Sequence, residues 1–133
     1  MKKSLKMLVG LAAAVWATVA LAQQEAAYTI PHFRFENGAD FEGLKIGYAT
    51  YGQLNADKSN AVLLVPGTSS LRNWADAYIG PGKMYDTNNY FFIAVDAIGG
   101  GTSSQPKDNP ATSFPNYTIR DIVRAEPRYT TLS

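Results

Sequence analysis

Among the 133 residues there is no cysteine, and histidine occurs once, at position 32. The first absence excludes a disulfide scaffold, a thiol nucleophile and a lipid anchor on cysteine. The second leaves no His/Cys cluster able to bind zinc. A Gly-x-x-x-x-Gly-Lys phosphate loop is also missing. Gly99-Gly100-Gly101 follows an apolar run, yet it lacks the Gly-x-Gly-x-x-Gly spacing and has no helical pattern behind it. No cofactor and no metal ion are therefore expected. Charge of one sign is lacking as well: 12 basic residues face 11 acidic ones, a net +1. Such a balance gives no footing for nucleic acid or an anionic membrane surface as partner.

The one long apolar run, Met7 to Leu21, falls short of the ~20 residues that cross a bilayer comfortably. Lys2, Lys3 and Lys6 precede it, and Ala20-Leu21-Ala22 follows with the small-x-small pattern of a signal-peptidase site. Residues 1–22 are expected to be a signal peptide cleaved after Ala22, with the product periplasmic or secreted and free of the membrane. Its loss leaves nine basic and eleven acidic residues, a net −2.

Residues 23–133 are enough for one domain. Gln23 to Ala27 reads as a polar tail. Tyr28 to Phe35, "YTIPHFRF", is rich in strand formers, and Pro31 assigns it to a sheet edge. Asn37-Gly38 is a turn signal before "LKIGYATYG", Leu44 to Gly52, where Leu44, Ile46, Tyr48 and Thr50 share one face. Together these predict an antiparallel hairpin. Ala61 to Val65 ("AVLLV") and Phe91 to Val95 ("FFIAV") are continuously apolar, as in strands covered on both faces. A short helix is expected between them, within Leu71 to Tyr78, before the Gly80-Pro81-Gly82 breaker. A long Gly/Ser/Thr/Pro/Asn loop spans Asp96 to Thr118, the kind that is functional or mobile. Thr118 then caps a helix with Asp121 in its first turn and Ile119, Ile122 and Val123 on one apolar face, ending at Pro127.

Two serine loops come close to a nucleophile elbow, whose Gly-x-Ser-x-Gly pattern relieves crowding at a sharp strand-to-helix turn. Gly67-Thr68-Ser69-Ser70-Leu71 and Gly101-Thr102-Ser103-Ser104-Gln105 each have the first glycine and lack the second. The base fails too. His32 precedes every candidate serine, and α/β-hydrolases place the histidine last. It reads as a solvent-facing strand residue. No complete catalytic constellation is present.

Three segments nevertheless agree in order and spacing. "GYATYGQLNADKSNAVLLVPG" (Gly47 to Gly67), "IGPGKMYDTNNYFFIAVDAIGGGTSSQP" (Ile79 to Pro106) and "FPNYTIRDIVRAE" (Phe114 to Glu126) closely resemble the homoserine O-acetyltransferases and their α/β-hydrolase relatives. The resemblance implies an α/β fold, the N-terminal half of an α/β-hydrolase: an antiparallel hairpin leading into a mostly parallel sheet. It implies acyl transfer through a serine acyl-enzyme, with a small-molecule ester or acyl substrate. It also implies that "VLLVPGTSS" is the strand before the oxyanion loop. Thr68 would then offer its backbone N–H to the developing oxyanion, a contribution worth ~3 kcal/mol to the transition state. In the acetyltransferases that loop commonly reads His-Ala-Leu-Thr; here it is Pro66-Gly67-Thr68-Ser69. Asp96 stands where they usually have asparagine. Homoserine and acetyl-CoA are cytoplasmic metabolites, so an export signal favours an ester hydrolase using water as acceptor.

The resemblance places the serine elbow, the acid and the histidine after the Thr118 helix. The chain is therefore expected to be a fragment truncated near Glu126 or Pro127, before the nucleophile strand, and inactive alone. Its Ala61–Val65 edge would be open and prone to aggregation. The alternative is a small exported, non-enzymatic binding module using the Asp96–Thr118 loop.

Overall fold

The computed structural model describes residues 23–108 and 113–126. Residues 1–22 and the segment after Glu126, which carry the expected signal peptide and the Pro127 stop, lie outside the described residues.

The hairpin forms as expected. Strand β1, Gln24–Arg34, pairs antiparallel with β2, Asp40–Tyr51. The turn is closed by the Phe35 N–H donating to Ala39 O at 2.8 Å, with Gly38 at φ +87°. That positive φ is why a glycine ends the Asn-Gly turn. β1 begins earlier than expected: Gln24 to Ala27 are not a polar tail but pair with Gly47 to Thr50. Polar residues suit this stretch because β1 is an edge strand with most of its side chains in water. Pro31, which has no N–H to give, is tolerated there for the same reason.

A four-stranded sheet has the order β1-β2-β6-β3. Strand β6, Phe91–Val95, lies antiparallel to β2 and parallel to β3, Ala61–Leu64. Between β3 and β6 the chain forms a 3₁₀ turn, Arg72–Tyr78, where a short helix was expected, and a two-stranded ribbon of β4, Ile79–Gly80, and β5, Tyr85–Asp86. A second 3₁₀ turn covers Pro106–Asp108, and α1 spans Ile119–Ala125.

Two apolar clusters cover opposite faces of the sheet. Phe33, Phe35, Leu44, Ile46, Ile98 and Ala125 form one. Ala49, Tyr51, Leu64, Ala75, Ile79 and Phe92 lead the other. β2 takes part in both, so the one-sided alternation holds only for its first half. Leu44 and Ile46 point to the α1 side; Ala49 and Tyr51 point to the 3₁₀ side. β6 is buried on both faces from Phe92 to Val95, as its apolar run requires.

β3 differs from expectation. Leu64 is buried, but Leu63 and Val65 are 39% and 47% exposed. The strand is the sheet's other edge, and among the described residues nothing covers its second face. Among the described residues this edge is open, as expected.

Helix α1 also corrects the sequence. Its N-cap is Thr118, as expected, with a full capping box to Asp121. The buried residues, however, are Asp121 and Ala125, while Ile119 and Val123 are exposed. The Asp121 carboxylate accepts the Glu36 N–H at 3.0 Å and the Thr118 N–H at 3.1 Å. Satisfying those two backbone donors turns the acid inward and carries Ile119 and Val123 outward, while Ile122 stays half-buried against the core.

Candidate functional site

β3 and β6 are parallel and in register, with Leu64 opposite Ala94. Their following loops therefore leave the sheet side by side at the carboxyl ends of the strands, where open α/β sheets bind ligands. The first is Pro66–Ser70. The Ser70 N–H donates to Gly67 O at 3.0 Å, closing a turn with Ser69 at φ +64°. Residues Gly67 to Ser70 are exposed, and a Cβ added at Gly67 would meet nothing within 4 Å. The Thr68 N–H has no acceptor among the described residues.

The second loop starts at Asp96, whose side chain is fully buried. Burying a carboxylate is costly unless it is paired and hydrogen-bonded, and here it is both. Asp96 Oδ1 accepts the Arg72 N–H at 2.9 Å. Asp96 Oδ2 accepts the Thr102 N–H at 3.0 Å and its hydroxyl at 3.2 Å, and takes a further hydrogen bond from Arg72 Nη1. Burial pushes the Asp96 carboxyl up, but the Thr102 and Arg72 N–H groups and the Arg72 guanidinium outweigh it. The net effect holds the carboxyl below the usual carboxylate range. A Cβ at Gly101, φ +53°, would lie 2.2 Å from this carboxyl group, so only glycine lets the loop close over it.

Arg72 reaches further. Its Nη1 donates to the Thr102 hydroxyl at 3.2 Å, and its Nη2 pairs with Glu25 Oε1 on β1 at 3.0 Å. The side chain is 13% exposed. One arginine thus ties together β1, the loop after β6 and the end of the loop after β3. Beyond it, the Tyr51 hydroxyl donates to Asp76 Oδ1 at 2.6 Å and fixes the 3₁₀ turn to β2.

The second serine loop is structural. Ser103 and Ser104 are buried. The Ser103 hydroxyl accepts the Gly47 N–H at 2.9 Å and donates to Asp96 O. Ser104 Oγ accepts the Lys45 N–H at 2.9 Å, and the Ser104 N–H donates to Lys45 O at 2.8 Å. These bonds stitch the first part of the Asp96–Thr118 loop to β2.

His32 is the exposed strand residue expected, 80% exposed and 2.7 Å from Glu42 Oε1 through Nδ1. It lies on the edge strand opposite β3, three strand spacings away, about 14 Å across the sheet. No histidine is thus brought to Ser69 or Ser70. Among the described residues no group of three or more His, Cys, Asp or Glu could hold a metal. Sequence reasoning marked Asp96 only as an unusual residue; its partner Arg72 gave no signal, because the pair is 24 positions apart and fits no spacing rule.

No family model matches the sequence. Comparison with individual proteins does. The chain is 40% identical to a homoserine O-acetyltransferase of Methanosphaerula palustris over 111 residues, which are 68% of this chain and 23% of that protein. It is 42% identical to one of Caulobacter vibrioides over 113 residues, 70% of this chain and 30% of that protein. Among solved structures, an acetylester hydrolase from Corynebacterium glutamicum superposes with a TM-score of 0.69 at 35% identity, covering 77% of this chain and 31% of that one. A homoserine O-acetyltransferase from Bacillus anthracis gives 0.63 at 29% identity over 77% and 34% of the two chains.

The described residues are therefore part of an α/β-hydrolase fold, its mixed sheet entered through an antiparallel hairpin. Within that class the chain belongs with the homoserine O-acetyltransferase-like proteins. It spans only 23% to 35% of the length of the curated relatives it matches.

Proposed function

We propose that this chain is the oxyanion side of an exported acyl-transfer or ester-hydrolysing enzyme that works through a serine acyl-enzyme, and that it is inactive alone. The observation that carries this reading is the unengaged Thr68 N–H, in an exposed turn at the carboxyl end of β3. A backbone donor held there is suited to an oxyanion, and it tolerates the change of side chain from the acetyltransferase pattern. The other parts of the chemistry are absent from the 133 residues: there is no Gly-x-Ser-x-Gly, and the sole histidine sits on the wrong edge. A substrate would be a small ester or acyl donor. Export rests on the Lys2-Lys3-Lys6 cluster, the apolar run and Ala20-Leu21-Ala22, and it favours water as the acyl acceptor.

The test is to read the encoding DNA through the Glu126 codon and several hundred bases beyond, in all three frames. A Gly-x-Ser-x-Gly followed by an Asp and a His is the expected result. A verified sequence without them overturns the acyl-enzyme reading and leaves the binding module.

A further inference from the structure

The Pro66–Ser70 turn has little of its own to hold it. Its residues from Gly67 onward are exposed, its internal bond is the single Ser70-to-Gly67 contact, and Ser69 sits in the left-handed region that non-glycine residues seldom adopt. On its entry side the chain is fixed by buried Leu64. On its exit side it is fixed four residues after Thr68, by Arg72.

We infer that the Arg72–Asp96 pair positions the Thr68 N–H. This deepens the oxyanion reading and rests on it. The Arg72 backbone N–H and guanidinium both bind one buried carboxylate, so position and orientation of the exit residue are set together. The guanidinium is held further by Thr102, through the same Nη1, and by Glu25, through Nη2. Asp96 is itself the first residue after β6, the strand next to β3. The turn is therefore referenced to the neighbouring strand of the same sheet, at the same end. Oxyanion donors act only when placed to a fraction of an ångström before the charge develops. Neither Arg72 nor Asp96 would touch the substrate; both act through the backbone of the turn.

The experiment is limited chymotrypsin digestion of dilute purified chain, with cut sites mapped by mass spectrometry, for the unsubstituted protein and Asp96→Asn. That substitution leaves the sequence around the exposed Leu71 and Trp74 intact. Cleavage after these two residues should rise at least tenfold over cleavage at Phe92, within the sheet. Arg72→Lys, which keeps the charge, should fall between Arg72→Ala and the unsubstituted chain. Even acceleration at all sites, no acceleration, or rapid cleavage everywhere before substitution overturns the inference. In a completed, active enzyme carrying this segment, Asp96→Ala, which removes both acceptor oxygens, should lower kcat at least tenfold with KM within about twofold. An unchanged kcat there overturns it as well. If instead Thr68→Pro leaves turnover intact, the oxyanion reading fails, and the digestion result still stands or falls separately.

Discussion

The Ser103 hydroxyl donates to the backbone carbonyl of Asp96 at 2.6 Å, bridging the end of β6 to β2 through the Gly47 N–H it accepts. A serine in a glycine-rich loop after a strand is easily mistaken for a nucleophile, but this one has its hydroxyl spent on two backbone groups. Ser103→Ala should destabilise the chain by about 2 kcal/mol, because a buried N–H and a buried carbonyl lose their partner. A urea midpoint unchanged by the substitution would contradict this role.

Asp96 makes a pH prediction. Its folded carboxyl is held below the range of an unfolded aspartate. The stability it contributes is therefore fully present above the unfolded value, about 4, and is lost as the pH falls through the lower folded value. Asp96→Asn should remove that part of the acid sensitivity and cost about 3 kcal/mol near neutral pH, since Arg72 loses its buried counter-ion and keeps only the exposed Glu25. Urea midpoints followed from pH 7 down to about pH 2 test both statements.

Glu126 acts in the opposite sense and in a different window. Burial pushes its carboxyl from the ordinary 4.5 up to about 7. The folded state holds this proton more tightly than the unfolded one. The contribution of Glu126 should be fully present below about 4.5, decline as the pH rises towards 7, and then level off. Glu126→Gln should flatten that slope. Thermal midpoints of the two proteins at about pH 5 and about pH 8 decide it: a variant that still loses stability between them would refute the assignment.

The β3 edge predicts self-association. One side of the strand is unpaired among the described residues, and Leu63 and Val65 stand in solvent. Light scattering should increase with concentration, and Leu63→Lys should suppress it, since a charge on an edge strand blocks further pairing. Equal scattering by both proteins would show that association occurs elsewhere.

Sequence reasoning reached the sheet and the cap more readily than the packing. The hairpin was legible because strand formers, Pro31 and the Asn37-Gly38 turn agree with one another. β6 was legible because a five-residue apolar run has few other uses. The Thr118 cap was legible from the acid three residues on. The buried face of α1 was not, because periodicity weighs Ile119 and Val123 by their hydropathy and cannot see that Glu36, 85 residues earlier, offers Asp121 a backbone N–H. For the candidate site, the resemblance pointed to Thr68, and the structure adds the Arg72–Asp96 contact that no local pattern encodes. The exposed side of β3 was misread for a related reason: a continuous apolar run states what a strand can bury, not what the described residues supply to bury it.

The parallel pairing of β3 with β6 also constrains how the chain assembles during synthesis. Ala61 meets Phe91, thirty residues further along. The β1–β2 hairpin closes from neighbouring residues and can form as soon as it is made. β3 has no such local partner and must wait while the 3₁₀ turn and the β4–β5 ribbon are translated. At elongation speeds of ~5–20 residues per second, that wait is on the order of seconds. For that interval an apolar strand stands unpaired on the nascent chain, and the step most exposed to chaperones, and to misfolding, is the arrival of Phe91–Val95.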